Sequence, residues 1–306
     1  MTDDMRIGYA CINTELKEQG VTTNRGLVKR TFNERGLSYV SSLIYQNASD
    51  LVDILKWNSE HDIRFFRMSS SMFPFIDWYE FEDLPGWETK IVPRLVDAGE
   101  VARQTDQRIT QHPDHFVKLA SKGNQKLIDK SVRTLKQQAK VFDVMGMPRS
   151  PFSSLNIHVG GAYGNKKKTA LRFIDTVMND LNESVRSRLT VENDDGPNMF
   201  TVKELVGWLG SEIPVVFDSL HHECNPGSLS DEDALDAALS TWPDDVTPVV
   251  HHSESRQLFE DPRSRINAHS DYYYTAFPNT RNRDVDIMLE SKMKEQALLK
   301  YVDEIQ

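Results

Sequence analysis

Short apolar runs rich in β-forming residues recur along the chain, separated by longer stretches whose apolar positions repeat at helical spacing. The runs fall at residues 5–9, 63–68, 108–111, 155–158, 188–192, 214–218, 247–251 and 285–290. After the third run, Ile128, Leu135 and Phe142 keep a seven-residue step that Val132 and Ala139 fill, and Gly146 offers a C-cap. After the fourth, Ala170, Phe173, Val177, Leu181 and Val185 mark one helical face. Residues 26–60 are long enough for two helices before the second strand, and the Pro- and Gly-containing segment 74–87 reads as loop. Eight strands alternating with helices predict a single (β/α)8 TIM barrel over residues 1–306, with its active site at the C-terminal ends of the strands.

Composition narrows this without changing it. Hydrophobic residues at 39% and charged residues at 27% suit a folded globular chain. No apolar run approaches the ~20 residues that span a bilayer. The opening MTDDMRIGYA lacks the basic-then-apolar pattern of a signal peptide. Cys11 and Cys224 cannot build a disulfide framework and are read as structural, so a cytoplasmic protein is expected. A net charge of −10 argues against a uniformly basic nucleic-acid-binding surface, though not against a local basic patch or a cleft made positive by metal ions.

The candidate chemistry lies where the histidines fall. Of nine, only His61 lies away from the end of a predicted strand. His112 ends the third strand, His158 the fourth, Glu192 the fifth and Asp218 the sixth, with His221 and His222 just after it. His251 and His252 end the seventh, His269 lies in the loop that follows, and Glu290 ends the eighth. In a barrel all these ends face one mouth. One His or Glu at a strand end is an ordinary loop residue, but six successive strands ending so would crowd charges that repel or stay unsatisfied. Divalent cations remove that cost, because imidazole nitrogens and carboxylate oxygens are their natural ligands. No C-x-x-C or H-E-x-x-H is present, so the expectation is a multi-metal site drawn from several strands. A carboxylate such as Glu192 or Asp218 would bridge ions ~4 Å apart.

Weaker signals keep two readings each. Gly160, Gly161 and Tyr163, followed by Lys166, Lys167 and Lys168, form either a tight turn before a solvated basic helix start or a loop that lets a nucleic-acid backbone approach while lysines meet phosphates. The P-loop pattern is absent. The aromatics around Trp78 and Trp87, and Tyr272 to Tyr274, are either mouth loops or a packed lid.

GYACIN with TTNR, FRMSSSMFPF, RITQHP, HVGGAYG, LTVEND, VVFDSLHHECNPG and LESKMKEQAL, in that order, resemble the UV damage endonuclease family over residues 6–299. HVGGAYG, VENDD and DSLHH with NPG are the most specific pieces. The resemblance implies a TIM-barrel DNA repair nuclease, related to the metal-dependent apurinic endonucleases. Such an enzyme nicks immediately 5′ to pyrimidine dimers and 6-4 photoproducts, leaving 3′-hydroxyl and 5′-phosphate ends. It further implies up to three divalent ions, Mn²⁺ by family habit, with Zn²⁺ or Mg²⁺ also possible. Position by position, His112, His158 and Glu192 match the ligands of one ion. Glu192 would bridge to a second, also held by Asp218, His251 and Glu290, while His221 and His269 match a third with Asp218 shared or close. Glu192, Asp218, Glu290 and Lys292 are the implied catalytic set, Lys292 facing a phosphate oxygen. Tyr9 and Asn13 match residues of the DNA-facing mouth. His115 and Phe116 replace a Gln-Tyr pair that probes the duplex at the lesion, Val249 replaces a frequent lysine, and Ser71 a His or Asp.

The expected partner is damaged double-stranded DNA, with no membrane or protein partner, and the expected state is a monomer. A metal-dependent apurinic endonuclease, and a sugar isomerase or epimerase on the same barrel, are the alternatives. A non-catalytic damage-binding protein is disfavoured by the nearly complete ligand set.

Overall fold

Eight parallel strands close into a barrel in chain order: β1 (Ile7–Ala10), β2 (Phe65–Met68), β3 (Arg108–Gln111), β4 (Leu155–Ile157), β5 (Leu189–Glu192), β6 (Val215–Asp218), β7 (Val249–His252) and β8 (Asp286–Leu289). The ring closes where Ile7, Gly8 and Tyr9 pair with Ile287, Met288 and Leu289. This is a computed structural model, and it describes residues 5–275 and 283–305. Each observed strand lies within one of the predicted apolar runs or within a residue of it.

Crossover helices cover the strands. The predicted seven-residue step becomes the helix Gln125–Val144, whose Leu135, Ala139 and Phe142 are buried, and Gly146 just beyond it adopts φ 68°. Ala170, Phe173 and Val177 point inward from Lys166–Asp180. Residues 26–60 form Lys29–Glu60, in which Gly36 leaves helical geometry (φ 62°, ψ −165°) and divides the stretch into two pieces. Trp87 in the 74–87 segment is buried against Phe81, with ring centroids 4.5 Å apart. Trp78 stays partly exposed beside Phe32 and Phe75.

The barrel interior is a small apolar layer of Ala10, Phe65, Val216, Val249 and Met288, with Trp242. Beneath it, fully buried Arg108 donates to Asp286 Oδ2 at 2.8 Å and to the carbonyls of Thr247, Phe152 and Pro151 at 2.7, 2.8 and 2.9 Å. These bonds satisfy a charge that burial would otherwise penalise heavily. The N-terminal end of the barrel is thus plugged, and the strands' C-terminal ends are left to carry chemistry.

Candidate metal centre

Side chains alternate along a strand, so residues two apart share a face. On β5, Thr190 and Glu192 both point into the barrel, and from β4 so does Asn156. Thr190 Oγ1 donates to Asn156 Oδ1 at 2.9 Å, and Asn156 Nδ2 donates to Glu192. This chain aims the Glu192 carboxylate at the mouth and satisfies one of its oxygens from below. On β6 the D-x-x-H spacing is a helix start: Asp218 is the N-cap of the short helix Ser219–Cys224, and its Oδ1 accepts the His221 N–H at 2.7 Å. That turn folds His221 back over the strand end, where its Nδ1 lies 3.2 Å from Glu192 Oε1.

The remaining groups converge on the same place. His112 Nε2 lies 3.5 Å from Glu192 Oε2, His158 Nε2 lies 4.0 Å from Oε1, and His251 Nδ1 lies 3.0 Å from Oε2. His251 Nδ1 is also 3.3 Å from Glu290 Oε1. Three sets have donor atoms mutually within 4.8 Å: His112, His158 and Glu192; Glu192, Asp218 and His221; Asp218, His251 and Glu290. Glu192 and Asp218 each belong to two sets. His269 stands at the edge, its Nδ1 2.8 Å from the Glu290 carbonyl oxygen and 3.8 Å from its carboxylate, and it joins none of the three.

The electrostatics follow from this crowding. Burial pushes the Asp218 carboxyl up, and Glu192 and Glu290 add to the effect against His221. Burial would raise Glu192 as well, but His251 and His158, with hydrogen bonds from His112 and His221, hold it well below the usual carboxylate range. Burial likewise opposes ionisation of Glu290, which Arg67 and then His251 bring down below the usual range. Burial lowers His221, yet Asp218 and Glu192 more than reverse this and raise it well above an ordinary imidazole. His251 is raised by Glu192 and Glu290 against the same burial. His158 is pushed down to about 3, chiefly by burial.

The structure gives several of the expected residues another setting. Tyr9 and Asn13, expected at the DNA-facing mouth, are both buried, the Tyr9 hydroxyl donating to Asn58 Oδ1 at 2.7 Å and accepting from Asn13 Nδ2 at 3.1 Å. Asn13 also caps a short helix through Leu16 N–H, so its polarity is spent locally. Lys292 is exposed, whereas Lys294 is the half-buried lysine, its pKa lowered by burial beside Cys11, Arg67 and Glu290. The two lie two residues apart in ESKMK, but a left-handed residue (Lys294, φ 50°) at the start of the last helix turns the second inward. Lys166 is tied to Glu204 at 2.9 Å instead of standing free for phosphate. Gly160, at φ 94°, and Gly161 lie in the loop after β4; the turn itself falls at Tyr163 and Gly164, with Tyr163 exposed on it and Lys167 exposed at the start of the helix that follows. His115 and Phe116 project from the loop after His112 with ring centroids 4.0 Å apart, Phe116 being 66% exposed.

The sequence reading also passed over Arg67 and Asn156. Arg67, near the end of β2, bonds Glu290 directly. A cation inside a run otherwise buried on both faces was the available signal for it. His222 and His252 are buried away from the three sets, His252 Nδ1 bonding Ser219 Oγ at 2.8 Å.

With this geometry, similarity to known proteins becomes informative. The family model described as UV-endonuclease UvdE matches residues 5–306. This chain belongs to the UvdE family. Among UvdE-type relatives, it is 32% identical to a UV DNA damage endonuclease of Bacillus cereus (strain G9842), covering 86% of this chain and 82% of that one. It is 29% identical to a putative UV-damage endonuclease of Acanthamoeba polyphaga mimivirus, covering 97% of this chain and 90% of the relative. The crystal structure of SacUVDE superposes with a TM-score of 0.85 at 31% identity and covers 98% of each chain.

The residues fit divalent cations. Asp218 Oδ2 is buried without a hydrogen-bond partner among the described residues, in a cluster that also holds the Glu192 and Glu290 carboxylates. An orphaned carboxylate oxygen in that setting is costly, and a cation held by oxygen and imidazole donors removes the cost.

Proposed function

We propose that this chain is a divalent-metal-dependent endonuclease acting on UV-damaged duplex DNA. It hydrolyses the phosphodiester immediately 5′ to cyclobutane pyrimidine dimers and 6-4 photoproducts. Water adds to phosphorus, the bond to the 3′-oxygen breaks, and 3′-hydroxyl and 5′-phosphate ends remain. The observation that carries this reading is the unpartnered Asp218 oxygen amid three overlapping sets of His and carboxylate donors in a UvdE-family barrel.

His112, His158, Glu192, Asp218, His221, His251 and Glu290 would hold up to three ions, with His269 beside Glu290 at the rim. Mn²⁺ is the proposed metal, and Zn²⁺ or Mg²⁺ are alternatives for the same donors. Bound there, divalent cations supply Lewis-acid charge to phosphodiester oxygens and lower the pKa of water toward ~7. The chain's own groups prepare this setting. Arg67 fixes the orientation of Glu290 through their direct pair. Lys294, half-buried beside Glu290 where Lys292 is exposed, would offer the ammonium that meets a phosphate oxygen. The exposed Phe116 ring, with the His115 ring tilted against it, fills the gap left when a distorted dinucleotide leaves the helix. Lesion choice follows from deformability: a crosslinked dipyrimidine is already unstacked and costs a few kcal/mol less to extrude. Damaged duplex DNA is the proposed partner, and a cytoplasmic monomer the proposed state; no helix among the described residues is long and apolar enough to cross a membrane.

The test is supercoiled plasmid, irradiated or not, incubated with the protein and Mn²⁺ or EDTA, with an abasic-site plasmid alongside. Nicking of the irradiated plasmid in Mn²⁺ alone is the expected result. Cleavage confined to abasic plasmid would replace the proposal with an apurinic activity, and no cleavage of any DNA would end it.

A further inference from the structure

The histidines at the mouth differ in what holds their outer nitrogen. His112 Nδ1 lies 3.0 Å from the Pro113 carbonyl oxygen and His269 Nδ1 lies 2.8 Å from that of Glu290, while His221 Nδ1 is shared between the Asn193 carbonyl oxygen at 3.0 Å and Glu192 Oε1 at 3.2 Å. A carbonyl oxygen only accepts, so each contact keeps a proton on Nδ1 and leaves Nε2 to be set by what it faces. His158 has no such carbonyl. Its Nδ1 is buried and makes no hydrogen bond to any described residue, while its Nε2 faces Glu192 Oε1 at 4.0 Å. The group opposite Nδ1 is a carboxylate, Asp194 Oδ2, at 3.4 Å.

We propose that Asp194 is a positioning residue: its carboxylate takes the Nδ1–H of His158 and thereby keeps the Nε2 lone pair free for a cation shared with Glu192. The proposal rests on the metal-site reading above and adds a residue to it. In water an imidazole prefers the tautomer with its proton on Nε2, which would block the face turned to Glu192. A carboxylate acceptor at Nδ1 reverses that preference and raises the basicity of the other nitrogen.

The surrounding chain is built to hold Asp194 in place. Its N–H donates to the Phe200 carbonyl at 3.0 Å, and its own carbonyl accepts from Asn225 Nδ2 at 3.0 Å. The same amide of Asn225 donates to the Gly196 carbonyl at 2.9 Å. Asn267 Nδ2 engages the neighbouring Asp195, whose carboxyl also meets that of Asp194, and Asp194 Oδ2 is the oxygen turned to His158. Thus the ENDDG segment after β5 and the CNPG segment after β6, distant in sequence, meet to fix one carboxylate behind one imidazole.

The tautomer can be read without metal. Long-range ¹H–¹⁵N correlation spectra of the metal-free protein, with His158 assigned by the signal lost in His158→Asn, should show the proton of His158 on Nδ1. In Asp194→Ala it should move largely to Nε2. Asp194→Asn keeps an acceptor oxygen and should retain the wild-type pattern. Mn²⁺ titration followed by calorimetry should show one site weakened about 10- to 100-fold in Asp194→Ala and mostly restored in Asp194→Asn. A proton on Nε2 in the wild type, or an unchanged tautomer in Asp194→Ala, would overturn the proposal. Should Asp194→Ala not fold, the wild-type spectrum and Asp194→Asn still decide. If the tautomer and Mn²⁺ results hold while the wild type leaves irradiated plasmid intact, the positioning role stands and the endonuclease reading falls.

Discussion

Glu192 takes one negative charge into a space bordered by four imidazoles, at 3.0 to 4.0 Å, and its carboxyl is held well below the usual range as a result. Glu192→Gln keeps the volume and removes the charge that two donor sets share. Bound Mn²⁺ by elemental analysis should fall, and nicking of irradiated plasmid should drop by orders of magnitude while the circular dichroism spectrum is kept; near wild-type nicking would remove Glu192 from the centre. Phe116 tests recognition. An aromatic ring left 66% exposed contributes little to the core, so Phe116→Ala should leave the melting temperature within a degree or so. Affinity for dimer-containing duplex should weaken about ten-fold, or ~1.4 kcal/mol, through lost base stacking. Equal weakening on undamaged duplex would show that the ring does not sense the lesion.

At the scale of elements, β1 runs against β2 so closely that a Cβ on Gly8 would lie 2.2 Å from the Phe65 carbonyl oxygen. Backbone cannot yield there without parting β1 from β2, so Gly8→Ala should destabilise the protein by about 3 kcal/mol or more. Chemical denaturation with and without Mn²⁺ checks this, and a loss below ~1 kcal/mol would mean that the β1–β2 pairing is compliant. β7 shows how alternation assigns roles. His251 belongs to the metal centre, and Val249, two residues earlier on the same face, lies in the apolar layer beneath it. Strand ends were legible because a parallel barrel requires short runs buried on both sides, and a polar residue at such a boundary stands out. Lys292 and Lys294 were not separable that way. Both follow β8 in one polar segment, and only the left-handed turn at Lys294 decides which of them is drawn inward.

For the whole molecule, protons occupy the place of cations. His221 and His251 have raised pKa values because carboxylates surround them, and metal binding requires neutral imidazoles. Mn²⁺ uptake near neutral pH should therefore release protons, and affinity should rise with pH until both histidines are neutral. Calorimetry in buffers of different ionisation enthalpy measures the release, and none at pH 6.5 would contradict the electrostatic picture. The same shifts set stability in the metal-free protein. Groups raised on folding contribute stability that is complete below their unfolded pKa, ~6.5 for histidine, and is lost as pH rises through the folded value. Asp218, also raised, acts in the same direction from a lower starting pH. Glu192 and Glu290, lowered on folding, contribute stability that is present above ~4.3 and is lost as pH falls through their folded values. In EDTA the melting temperature should fall from pH 6.5 to 9, and Mn²⁺ should remove that fall.

The order of apolar runs determined the barrel, and the residue types at six strand ends determined which donors could meet, because a closed parallel sheet delivers every C-terminal end to one face. The motifs that resemble UvdE carried the family, which the match over residues 5–306 shows. What only the tertiary structure decided is which polar groups are already spent. Tyr9 and Asn13 bond one another inside the core, Lys166 is paired with Glu204, and Arg67 is drawn to Glu290. A sequence presents each of these side chains as equally available for DNA. Their partners lie as far as 223 residues away, and a hydrogen bond or ion pair across that distance exists only once the chain has closed the ring.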